Sequence, residues 1–272
     1  MGPVLSNTQI VLLSVLFTSL VYLISIIIIF LTKKNIDNND TKIYRKLLFI
    51  NFISIFLELT LYFLGIIVNN QSGFLMDIFL LMSKVFTCFI CLWFYEMCKY
   101  TKSIYDRKNL NNNEKNNKKI KMDYSFAFFC IIIILVPTKF IVENNTGYTN
   151  GPSTKFAGLL MIMYCLEMVY YLFKLRKSLK SKEFVPIILS VVSLFITIIV
   201  QTVNPALLLS NPMITLVTII MYHTIENPDV KMLEETEKAK MQAEKANRAK
   251  SDFLGSLSSS VGESKTMSNE SR

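Results

Sequence analysis

The chain alternates long apolar blocks with short connections that carry most of the charge. Apolar runs of about 18 or more residues read as bilayer spans, because a helix rising about 1.5 Å per residue needs roughly 20 residues to cross the hydrocarbon. The blocks predict seven spans, at 8–32, 46–69, 74–98, 124–143, 156–175, 184–203 and 206–225. The first block has no basic leader and no small-residue cleavage site, so it reads as a span rather than a secretory signal. Asn211-Pro212 interrupts the seventh. Proline is tolerated in a membrane helix whose neighbours satisfy the freed backbone groups.

The connections set the orientation. Segments 33–46, 99–122 and 174–182 together hold eighteen Lys and Arg, whereas 1–7, 70–73, 139–155 and 204–210 hold two, Lys139 and Lys155. Basic loops stay in the cytoplasm. The N-terminus is therefore expected outside and the C-terminus inside, in a plasma membrane. Hydrophobic residues make up 52% of the chain, above the 45–50% usual for soluble domains. The formal net charge is +9, but the basic residues flank the apolar blocks, which fits anionic lipid headgroups rather than nucleic acid. The abundant Asn, Ile and Lys fit an AT-rich bacterial gene. Asn109 to Lys119, NLNNNEKNNKK, reads as a solvated linker. Asn70-Gln71-Ser72 and Asn144-Asn145-Thr146 match the glycosylation pattern, as expected by chance in an Asn-rich chain.

Beyond the last span, Asn227-Pro228 ends one helix and is suited to start another. Positions 232, 236, 239, 243, 246, 250, 253 and 257 follow a four–three spacing and hold Met, Thr, Ala, Ala, Ala, Lys, Phe and Leu. Six of the eight are apolar, the pattern of a parallel two-stranded coil. A homodimer through 230–257 is therefore expected, with the single exposed charged helix as the alternative.

These residues carry a resemblance. Tyr222-His223-Thr224-Ile225-Glu226-Asn227-Pro228-Asp229, with the Lys231-Met232-Leu233-Glu234-Glu235 after Val230, resembles the membrane exit of bacterial seven-span sensor histidine kinases. Ala243-Glu244-Lys245-Ala246-Asn247-Arg248-Ala249-Lys250-Ser251-Asp252-Phe253-Leu254 is similar to the signalling helix that leads into their phosphoacceptor box. Leu257 and Ser258 fit that box, but Ser259 stands where the phosphoaccepting His should be and Ser260 where the acidic residue should be. The resemblance implies a sensor region and a signalling helix, without kinase chemistry in this chain. The residues after 257 read as a polar, disordered tail.

Ionisable groups inside hydrocarbon cost several kcal/mol unless paired or hydrated, so each is a functional candidate. Glu58, Lys84 and Glu167 fall near the midplane of their spans, and Asp77 nearer the outer end. The second and third spans share a short outer connection, so a Glu58–Lys84 pair is expected, either as a ligand site or as a structural tie. Gln201, Asn204 and Asn211 form a candidate ligand rim. His223 is a candidate pH switch, or simply a polar helix end, and Tyr164, Tyr170 and Tyr171 are candidate pocket residues or interfacial anchors. The five cysteines all lie in apolar blocks, with Cys88 and Cys91 spaced for packing rather than for metal. Residues 206–225 offer no Lys for retinal, and neither a zinc-protease spacing nor a nucleophile elbow is present.

The expectation is an all-α polytopic bundle of seven transmembrane helices over 1–225, a cytoplasmic coiled-coil-like signalling helix over 226–257 and a polar tail over 258–272. It would detect an outer or membrane-borne ligand and pass the signal to a cytoplasmic partner, with no cofactor, no metal and no catalytic residue. The alternative is a small transporter or channel that uses Glu58, Lys84 and Glu167. The spans show no inverted repeat with paired broken helices to favour it.

Overall fold

The computed structural model describes residues 7–32, 39–68, 73–109, 119–143, 146–176, 181–226 and, in the tail, 232–233, 236–237 and 239–254. Among the described residues up to 226, seven α-helices run α1 Asn7–Thr32, α2 Asn39–Val68, α3 Phe74–Asn109, α4 Lys119–Leu135, α5 Pro152–Leu175, α6 Ser181–Val203 and α7 Ser210–Met221. A two-stranded hairpin, β1 Lys139–Glu143 with β2 Thr146–Asn150, lies between α4 and α5. A π-helical turn, Tyr222–Glu226, continues α7. Residues 1–226 and 227–272 are separate units.

Five helices (α1, α2, α3, α5 and α6) are long and apolar enough to cross a membrane, and Tyr124–Leu135 of α4 is a shorter apolar stretch. They are apolar on both faces. Val21, Phe56, Phe63, Phe173 and Ile199 point outward, while Leu23, Leu47, Ile55, Leu160 and Leu172 are buried. A helix that is hydrophobic all round suits hydrocarbon outside and a packed core inside. In the core α3 packs against α2, α4, α5 and α6, while α7 packs against α1, α2 and α6. Trp93, Tyr44, Tyr100 and Tyr222 are the largest side chains sealed in it.

Two helices exceed the predicted spans most. α2 starts at Asn39 rather than 46, and α3 continues past 98 to Asn109. Their extensions meet where Ser103 Oγ donates to Asp40 Oδ1 at 3.0 Å. Glu96, buried nearby, accepts from Lys99 at 3.2 Å and faces Lys46 at 3.9 Å.

The predicted fourth span is corrected. α4 stops at Leu135, and 139–143 is a strand paired antiparallel with 146–150, Ile141 opposite Tyr148. The apolar run Phe140–Val142 is too short to be told from a helix by hydropathy. Pro137 decides, because it lacks an N–H and bars its predecessor from the helical region. The fold is therefore helical with one hairpin rather than purely α. Gly151, at φ 158°, joins the hairpin to Pro152 at the start of α5; a Cβ there would lie 3.0 Å from Pro137 O and 3.1 Å from Thr138 Cα. Only glycine lets the backbone approach so closely.

Candidate functional site

The hairpin lies at the bundle end where α2, α4 and α6 finish and α3, α5 and α7 begin. Phe140 meets Phe79 of α3 edge-on, ring centroids 4.9 Å apart, and the Ser83 and Thr149 hydroxyls are 2.9 Å apart. Beneath it is a cavity of about 780 Å³. Its wall includes Gln9 and Leu13 of α1, Glu58 and Tyr62 of α2, Ser83 and Phe86 of α3, Tyr148 and Thr149 of the hairpin, Lys155 and Met161 of α5, and Gln201 of α6. A mostly apolar concave site with a few convergent polar groups is the usual form of a small-molecule site.

Glu58 is the carboxylate of this wall and is buried, 3% exposed. Its Oε2 accepts from Asn211 Nδ2 at 2.6 Å. The same amide accepts from Ser54 Oγ at 2.8 Å through Oδ1. Below it, Asn51 and Thr215 exchange hydrogen bonds at 3.1 and 3.3 Å. Further along, Tyr44 OH donates to Thr218 O at 3.2 Å, and its ring stacks on Tyr222 at 6.4 Å. On α2 the series is 58, 54, 51, 44 and on α7 it is 211, 215, 218. Steps of three, four and seven keep residues on one helix face. The two antiparallel helices are thus joined by a polar seam from the cavity to the end of α7. Polar bonds in an apolar surrounding register one helix against another.

The expected Glu58–Lys84 pair is absent. Lys84 Nζ instead donates to Ile134 O at 2.8 Å. That carbonyl belongs to the last turn of α4, where the final carbonyls have no intrahelical donor and the helix dipole favours a cation. Matched depth made the pair attractive, but Asn211 and the α4 terminus are the better partners. Of the expected rim, Gln201 lines the cavity. Asn211 lies in the seam, and Asn204 Oδ1 accepts from Ala206 N at 3.2 Å in the turn after α6. The three are not one rim. Glu167 accepts from Tyr171 OH at 3.4 Å, four residues along the same helix. Asp77 is exposed in the first turn of α3, where the dipole favours a carboxylate. Tyr164 packs against Tyr95, centroids 5.7 Å apart, while Tyr170 and Tyr171 meet edge-on at 5.5 Å. None of these three lines the cavity.

His223 is exposed in the π-helical turn, its ring edge-on to Tyr222 at 5.4 Å. Glu226 closes that turn. Asn227, Pro228 and Asp229 lie outside the described residues, as do the 109–119 linker beyond Asn109 apart from Lys119, and position 257 of the seam. Residues 239–254 are helical, and every described side chain from 232 to 254 is exposed.

Attention to ionisable groups alone misses Asn51, Ser54, Thr215 and Thr218. Their signal is the three–four spacing of small polar residues in otherwise apolar helices. Tyr62, Ser83 and Thr149 are missed because only the tertiary fold gathers them. No protein-family model matches the chain, and no curated protein matches it.

Proposed function

We propose that this chain is the sensory and signal-transmitting part of a seven-span receptor of the bacterial sensor histidine kinase kind, with the cavity as its ligand site and α7 as its output. All seven helices cross the bilayer in this reading. α4 and α7 are the short ones: α7 rises only about 18 Å, and the π-helical turn extends it. The charge asymmetry of the connections puts the hairpin, the cavity and the N-terminus outside and the tail inside.

The observation that carries the reading is the seam from Glu58 to Tyr222. A ligand that draws Glu58 away frees Asn211 at the outer end of α7. The helix then has two arrangements, seated on α2 or released from it, and a ligand biases them by its differential affinity. The shift leaves through the Tyr222–Glu226 turn towards the helix over 239–254, and the four–three spacing of 232–257 pairs two chains in this reading. A transporter would need no such exit, and no observation favours one.

The test is a phosphoacceptor and ATP-binding module fused after Phe253, with autophosphorylation measured in membranes. A hydrogen bond to a charged group is worth about 1.5–3 kcal/mol, so Asn211→Leu is expected to shift output roughly tenfold or more. Output equal to that of the unaltered fusion would reject the coupling.

A further inference from the structure

Among the described residues two polar atoms at the cavity have no hydrogen-bond partner, Glu58 Oε1 and the Tyr62 hydroxyl, and both are buried. Both residues line the cavity. They are four apart on α2 and so share a face. A buried polar atom without a partner costs free energy that a ligand group of matching chemistry returns. Among the described residues the charged side chains in the wall are Glu58 and Lys155, and Lys155 stands exposed in the first turn of α5. Among the described residues the deep ionisable group is therefore an acid, while Leu13, Leu16, Phe86 and Met161 give the wall its apolar surface.

We infer that the cavity binds an organic cation, with an ammonium group on Glu58 and Tyr62 and an apolar body against the surrounding helices. An ammonium brings three N–H donors and no acceptor. It satisfies Oε1, neutralises the carboxylate and gives Tyr62 a donor. A carboxylate ligand is repelled at Glu58, and an alcohol matches the hydrogen bond but leaves the charge. Lys155 repels a second cation at the mouth, so the far end of the ligand is apolar or an acceptor. As the side chain stands, Oε1 is covered. The terminal torsion of Glu is soft, and turning the carboxylate to meet the ammonium draws Oε2 off Asn211. Binding and release of α7 become one event. The inference rests on the receptor reading only in taking this cavity as the ligand site.

The test compares three probes of one shape, 4-phenylbutylamine, 4-phenylbutanol and 4-phenylbutyrate, by titration calorimetry on the full chain in nanodiscs, with empty nanodiscs subtracted for lipid partition. The amine is expected to bind saturably and at least about tenfold more tightly than the other two, the discrimination of a charge-assisted hydrogen bond. Glu58→Gln should bring the amine down to the alcohol. Equal binding of alcohol or acid, no saturable binding of the amine, or undiminished binding by a folded Glu58→Gln variant would each overturn the inference. The comparison on the unaltered chain does not depend on the variant folding. If the amine fails while Asn211→Leu still shifts output in the fusion, the ligand class falls and the receptor stands. If both fail, both fall.

Discussion

Glu58 is the residue on which the account turns. A carboxylate buried among apolar helices is tolerated because Asn211 donates to it, and Asn211 is itself held by Ser54. Removing the donor leaves the carboxylate stranded. Asn211→Leu is expected to destabilise the bundle by about 3 kcal/mol, whereas the double change Glu58→Leu with Asn211→Leu recovers much of the loss. Unfolding by a denaturing detergent measures both, and losses that simply add would remove the bond from the account. Hydropathy and depth were enough to single out Glu58, Lys84 and Glu167 from the sequence. They were not enough to assign partners, since an amide or a helix-terminal carbonyl serves an ionised side chain as well as an opposite charge does. Lys84 found the carbonyl of Ile134 and Glu58 found Asn211.

At the scale of elements, the long apolar runs were the most legible feature: α1, α2, α3, α5 and α6 fall where hydropathy places them, with α2 and α3 longer at their charged ends, whereas α7 covers only Ser210–Met221 of the run 206–225. The fourth run misled because helix and hairpin are both apolar there, and the break lies in Pro137 and Gly151 rather than in hydropathy. Gly151 makes this testable. An alanine would place a Cβ 3.0 Å from Pro137 O at a backbone angle open mainly to glycine, and such strain costs about 1–3 kcal/mol. Gly151→Ala is expected to lower the thermal midpoint in nanodiscs. An unchanged midpoint would mean that the hairpin does not sit against the α5 start. The cavity itself was illegible in the sequence. Its wall gathers residues from α1, α2, α3, the hairpin, α5 and α6, and apart from Glu58 and Gln201 each is unremarkable on its own helix.

At the scale of the whole molecule, the proposed orientation rests on the eighteen-to-two distribution of basic residues between the connections. A cysteine at exposed Asn150 should react with an impermeant thiol reagent on intact cells, in a background where the five native cysteines are replaced, and a cysteine at 112 should not. The reverse pattern would turn the molecule over and put the cavity inside. Coupling of the cavity to the tail through α7 is best read by disulfide cross-linking of the full chain in native membranes. Cysteines at 239 and 246 lie on the expected seam, and cysteines at 241 and 248 lie off it. The account predicts faster cross-linking at 239 and 246, with a rate that changes several-fold when Asn211→Leu cuts the bond at the cavity floor. Equal rates at all four positions, or rates indifferent to Asn211, would contradict it.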